Sequence, residues 1–252
     1  MRILGDLRAA VSFLTRIPAH DPARPFDATT LSRAALWVPA VGLLVGCVMG
    51  GVRLLADLAL DPAPATLLAL LAAVLITGGF HEDGLADASD GMGAHVARER
   101  RLEIFKDSRV GTYGALAVAF MVAFPLVTLA PLDGENFVRA ALAGHVLGRW
   151  STLPQSWLLP AAADEGSGSL VRASPLVVLA ATAYTVALVL LIAGPAAGAL
   201  ALAVAALVTL LGGVYFLRRL GGVSGDTFGA VNKVVELSVY AALGAALAAA
   251  PA

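Results

Sequence analysis

Long apolar runs alternate with short polar ones along this chain. The apolar runs cover 34–56, 65–80, 111–132, 137–158, 175–193, 196–217 and 234–251. Runs of about 18 or more nearly uncharged residues read as transmembrane helices. The pattern therefore predicts an all-α, polytopic membrane protein with about seven transmembrane helices. The second run is short for a span of about 20 residues, and the fourth carries His145 and Arg149. Ahead of the first run, Ile3, Leu4, Leu7, Val11 and Leu14 recur at helical spacing, with Arg2, Asp6 and Arg8 between them. That predicts an amphipathic N-terminal helix, lying on the membrane surface or packed on the bundle. A linker rich in Pro and Asp follows, closing an N-terminal segment 1–33. The start is interrupted by charge and lacks a clear small-residue cleavage site, so no cleavable signal peptide is expected. No internal repeat is visible, and 1–252 reads as one domain.

Composition agrees with the pattern. Of 252 residues, 59% are apolar and only 14% charged, and the mean hydropathy is +0.83; a soluble domain carries about 25% charged residues. Cys47 is the single cysteine, so no internal disulfide can form. A net charge of −1 hides a strong segregation of charge along the chain. Membrane lipid and small molecules, not nucleic acid, are the expected partners. The oligomeric state is open between a monomer and a homo-oligomer.

The basic residues are segregated. With seven spans and a cytoplasmic N-terminus, the inside regions 1–33, 81–110, 159–174 and 218–233 hold 14 of the 17 Lys and Arg residues. The positive-inside rule then gives an N-in, C-out topology. It also gathers the unusual polar clusters on one face, the cytoplasmic one.

The first cluster is "HEDGLADASDG", residues 81–91, with four carboxylates in nine residues at the end of an apolar run. On a helix, Asp83, Asp87 and Asp90 stand at i, i+4 and i+7 and share one face. Glu82 points about 100° away, within reach only through a second ion or a water. Oxygen ligands of this kind suit a hard divalent cation, Mg²⁺ or Mn²⁺. A solvated acidic loop is the plainer alternative, but carboxylates tucked against membrane spans cost energy unless neutralised. Zinc fits poorly: His81-Glu82 opens like HExxH, but residue 85 is Leu. His81 is a candidate for substrate binding or for a structural hydrogen bond.

The second cluster, "LEIFKDSRVGTYG" (102–114), places Lys106, Asp107, Ser108 and Arg109 just before Gly111 and the third apolar run. Basic side chains beside a helix N-terminus make a phosphate site. Asp107 is a candidate metal ligand or the partner that orients Arg109. The third, "GGVSGDTFGAVNKVVEL" (221–237), reads as a Gly-rich turn carrying Asp226 and Thr227, with Asn232, Lys233 and Glu236 following. Such a turn can approach a phosphate or metal closely, though it lacks the lysine of a P-loop. "ADEGSGSL" (163–170) reads as a candidate lid. Arg149, a charge in or near a span, needs a partner: a carboxylate of the acidic cluster or a phosphate. Acidic metal ligands and basic phosphate ligands on one membrane face together imply phosphoryl or nucleotidyl transfer.

These blocks, with the early "FLTRIP" at 13–18, resemble the signature of the adenosylcobinamide-GDP ribazoletransferase (cobalamin synthase) family, from about residue 8 to 245. The resemblance implies a Mg²⁺-dependent enzyme of the bacterial inner membrane, working on its cytoplasmic face. It implies that adenosylcobinamide-GDP is joined to α-ribazole, or α-ribazole 5′-phosphate, with release of GMP. Asp83, Asp87, Asp90 and Asp107 are then the candidate catalytic residues. Glu82, Asp83, Asp87 and Asp90 are candidate metal ligands. His81, Lys106, Ser108, Arg109, Arg149, Asp226 and Thr227 are candidate substrate contacts. In that family an apolar residue is expected at position 82, so Glu82 departs from the pattern. Two other classes stand beside this one: a CDP-alcohol-type phosphotransferase, whose DGxxAR motif is not matched at Asp83-Gly84-Leu85-Ala86-Asp87, and a cation-binding membrane transporter.

Overall fold

The computed structural model describes residues 2–21, 26–162 and 172–248, which form an all-helical bundle. Part of the linker 18–33 and the candidate lid at 163–170 lie outside the described residues. The helices are α1 (Arg2–Leu14), α2 (Ala28–Ala34), α3 (Val38–Ala56), α4 (Pro62–Thr77), α5 (Phe80–Gly93) and α6 (Arg98–Ile104). They continue with α7 (Thr112–Thr128), α8 (Gly134–Trp150), α9 (Thr152–Leu158), α10 (Pro175–Ala193), α11 (Pro195–Leu220) and α12 (Gly225–Ala248).

The amphipathic helix forms as its spacing predicts. Ala9, Ala10 and Leu14 of α1 pack on Ala34 and Val41, while Ile3 and Leu4 stay exposed. Asp27 caps α2, its side chain accepting from the Thr30 N–H at 2.6 Å. A single 3-10 turn, Ala35–Trp37, joins α2 to α3. The centre of the bundle is α3, α8 and α12 with α5 beside them, around Val45, Met49, Phe137, Leu147, Val239 and Leu243. Polar side chains fasten the periphery across helices, as they do where no water competes. Trp150 Nε1 donates to Thr182 Oγ1 at 2.9 Å, and Tyr184 donates to the Leu36 carbonyl at 2.7 Å.

Among the described residues, four stretches are long and apolar enough to cross a bilayer: Ala28–Ala56, Pro175–Ala193, Pro195–Leu220 and Gly225–Leu247. A fifth is added if α4 and α5 count as one broken span. The remaining expected spans are altered for visible reasons. The 65–80 run ends at Gly78 and Gly79, both left-handed (φ +71° and +75°), and α5 leaves at 91° to α4. Only glycine takes two such residues in succession without strain. α7, at 17 residues, is apolar but shorter. The 137–158 run is two helices that break at Ser151. In the other direction, α12 begins at Gly225, so most of the expected Gly-rich turn is its first turns.

Where α5 crosses α12 the two backbones touch. A Cβ built on Gly84 would lie 3.1 Å from Asp226 Cα and 3.3 Å from Gly229 Cα. Gly84→Val therefore forces the helices apart. We expect it to lower stability by about 1–3 kcal/mol, read as earlier thermal unfolding in detergent; an unchanged melting temperature would show the crossing to be loose.

Candidate active site

Three aspartates lie near that crossing, close enough for their charges to act on one another. Asp83 and Asp87 come from one face of α5, and Asp226 comes from the first turn of α12. Asp83 is exposed and Asp87 half-buried. The charges of Asp83, Asp226 and Asp90 all bear on Asp87. The i, i+4 spacing brings the first two together, and the Gly84–Gly229 contact brings the third. The donors are carboxylate oxygens only, the set that hard cations take. Among the described residues, no three His, Cys, Asp or Glu side chains already stand close enough to hold an ion by themselves.

Asp90, the third aspartate of the spacing, is engaged elsewhere. Its Oδ2 accepts from the Gly111 N–H at 2.7 Å and its Oδ1 from the Gly114 N–H at 2.9 Å. It caps α7 from a different helix, satisfying donors that a helix start leaves unpaired. This corrects the expectation that those N–H groups lie free for phosphate. Lys106, Ser108 and Arg109 sit exposed just before this cap. Arg109 Nη2 pairs with Asp107 Oδ2 at 2.7 Å, so Asp107 is the partner that orients Arg109. The hydrogen bonds from Arg109 hold the Asp107 carboxyl down to about 2.

Glu82, expected as a metal ligand, turns to the other side of α5. Its Oε1 lies 3.0 Å from Lys233 Nζ of α12. Lys233 also donates to Glu236 Oε1 at 2.6 Å. The second oxygen of Glu236 lies 2.9 Å from His145 Nδ1 and 3.5 Å from Arg149 Nη1 of α8. This is a buried ionic network between α5, α8 and α12, with charges Glu82, Lys233, Glu236 and Arg149 balanced two against two. Arg149 thus pairs with Glu236 and not with the aspartates. Sequence reading noted Lys233 and Glu236 without joining them; their i, i+3 spacing inside an apolar span was the signal. Thr227, expected to touch substrate, is spent locally: its Oγ1 donates to the Ser224 carbonyl and accepts from the Ser224 N–H. His81 is buried, and its Nδ1 has no hydrogen-bond partner among the described residues. Arg98 pins α6 by donating to the Leu220 and Ala162 carbonyls, each at 2.6 Å.

The described site is thus an open acidic face beside a closed, charge-balanced interior. Residues 6–244 match the family model described as cobalamin-5-phosphate synthase. An adenosylcobinamide-GDP ribazoletransferase of Bradyrhizobium diazoefficiens is 36% identical over 241 residues, covering 94% of this chain and 92% of the relative. The protein of that name from Polaromonas sp. is 37% identical, covering 94% of this chain and 95% of its own. The one from Shewanella frigidimarina is 37% identical over 249 residues, covering 95% and 94%. No solved structure matches the chain.

Proposed function

Because this chain belongs to the cobalamin-5-phosphate synthase family, we propose that its aspartate face is the catalytic face of an adenosylcobinamide-GDP ribazoletransferase. One observation carries the placement: Asp83, Asp87 and Asp226 converge from two helices whose backbones touch at Gly84 and Gly229. The reaction joins adenosylcobinamide-GDP to α-ribazole, or its 5′-phosphate. A ribose hydroxyl attacks the phosphorus that bears cobinamide, the P–O bond to GMP breaks, and GMP leaves with the electron pair. The full-length relatives bear this activity in their names, which favours it over a CDP-alcohol phosphotransferase or a transporter.

The carboxylates fit Mg²⁺ by their chemistry. An open set also suits an ion that uses one or two carboxylates and completes its shell with substrate phosphates and water. Asp87 and Asp226 would hold it, and Mg²⁺ would neutralise charge on the diphosphate. Asp83, exposed and with a carboxylate that accepts no hydrogen bond from the described residues, accepts the proton of the attacking hydroxyl. Lys106 and Arg109 bind phosphate from the loop before α7, Asp107 holds Arg109 in place, and Ser108 lies between them. Asp90 keeps that loop against the acidic face.

The excess of Lys and Arg around this face supports a cytoplasmic position at the inner membrane, with the N-in, C-out topology read from the sequence. α10 and α11 present Leu176, Leu179, Leu191, Leu207, Leu210 and Leu211 outward, a surface for lipid chains. The test is turnover by purified protein in liposomes. With adenosylcobinamide-GDP, α-ribazole 5′-phosphate and Mg²⁺, GMP and a new corrinoid appear in equal amounts, and EDTA stops both. Failure of folded protein to release GMP with either ribazole form would overturn the assignment.

A further inference from the structure

A groove of about 460 Å³ runs between α5, α11 and α12. Leu85, Ala88 and Met92 of α5, Val208 and Gly212 of α11 and Val231 of α12 form its walls. The volume is that of a small-molecule site, but the usual convergent polar groups are missing. Ser89 also lines it, and its hydroxyl is already donated to the Leu85 carbonyl at 2.6 Å. The rim is apolar as well: Leu211, Tyr215 and Val234 are exposed there. All three belong to helices long and apolar enough to cross a bilayer, so the groove opens sideways into hydrocarbon. A lipid chain reaches it from the bilayer; a water-soluble ligand does not.

One end of the groove is cationic. Arg219 lies one turn beyond Tyr215, its guanidinium 5.9 Å from the centre of that ring. Arg101 of α6 reaches the α5 wall, with Nη1 4.0 Å from the Met92 sulfur. The two share an end because Arg98, one turn before Arg101, donates to the Leu220 carbonyl beside Arg219. Among the described residues neither Arg101 nor Arg219 forms an ion pair. Arg101 is nevertheless buried, where a charge without a partner is costly. Guanidinium forks match phosphate oxygens. An occupant with a long apolar part and one anionic phosphate suits both the walls and this end.

We propose that the groove holds one chain of an anionic phospholipid, with the lipid phosphate at the Arg219 and Arg101 end. The proposal does not depend on the transferase reading. Residues 218–233 form one of the basic regions of the sequence, and anionic headgroups attract such residues at the membrane border. The chain also has a task in the fold. Leu85, Ala88 and Met92 stand about half a turn round α5 from Asp83 and Asp87. The lipid therefore lies behind the acidic face and backs the helix that carries it.

The test uses full-length protein in detergent. Phosphatidylglycerol or phosphatidylcholine with matched chains is added back, and retained lipid is counted by native mass spectrometry. One phosphatidylglycerol binds per chain, about tenfold or more tighter than phosphatidylcholine, because each of two arginines favours the anionic head by about fivefold. Arg219→Gln, at an exposed position, cuts that preference by about fivefold. Val234→Trp fills the groove from its rim and weakens both lipids by about tenfold or more, the effect of displacing about two methylenes. Thermal unfolding shows that each variant is folded, and Arg219→Gln alone decides the matter if Val234→Trp is not. Equal retention of the two lipids by the parent, or parent-like binding in the folded variants, overturns the proposal. So does a dimer that Val234→Trp dissociates, which would make the groove an interface between two copies of this chain. None of these readings uses turnover, so the transferase assignment stands or falls separately.

Discussion

Asp83→Asn lowers GMP release by about 10²–10⁴-fold and leaves the melting temperature where it was. The size is that of removing a positioned proton acceptor. The unchanged stability follows from the position: Asp83 is exposed and its carboxylate accepts no hydrogen bond from the described residues, so the folded chain loses no contact. Asp90→Asn tests the difference in role. The Asp90 carboxylate accepts two N–H bonds at the start of α7, and an amide keeps only one acceptor oxygen. Its loss therefore falls on stability as well as on turnover. Chromatography of GMP beside thermal unfolding in the same detergent separates the two. Normal turnover in Asp83→Asn would remove the proton-acceptor role.

The largest stability effect is expected at Glu236. Among the described residues it alone pairs with Arg149, and it shares Lys233 with Glu82. Glu236→Ala strands a buried guanidinium, and breaking a buried pair by removing one partner costs about 3–5 kcal/mol. Unfolding should begin about 10 °C earlier. Glu236→Gln with Arg149→Met leaves Lys233 facing Glu82, a balanced pair. That double variant should recover more than half of the loss, because contacting sites are not additive. If Glu236→Ala melts with the parent, the network contributes nothing measurable and the balance of charges is incidental.

How far the sequence led depends on whether a feature is local. The α5 face was legible because Asp83 and Asp87 obey a helical period, and α1 because its apolar stripe does. Asp90 obeys the same period, yet its carboxylate is claimed by Gly111 and Gly114, a contact no local pattern encodes. Asp226 was visible as a carboxylate among glycines. Its place beside Asp87 depends on Gly84 meeting Gly229, two small residues far apart in the chain. The partner of Arg149 was sought in the acidic cluster or in a phosphate and is Glu236, because the α8–α12 pairing could not be read from either helix alone. Apolar runs likewise report composition and not continuity. Neither the turn at Gly78–Gly79 nor the break at Ser151 interrupts hydrophobicity enough to be seen.

The ion pair between Glu82 and Lys233 also sets an order of assembly. Its two halves are about 150 residues apart, so the ribosome, adding about 5–20 residues per second, delivers Lys233 roughly 8–30 s after Glu82. Through that interval α5 carries an uncompensated glutamate that the lipid interior would reject. It is therefore held back at the aqueous border, and its inward face closes only when α12 arrives. Chains halted before residue 225 would leave α4 inserted and α5 outside. In such nascent chains Ala86→Cys, one turn from Glu82 and buried in the folded chain, would react with water-soluble thiol reagents, and it would become protected on completion.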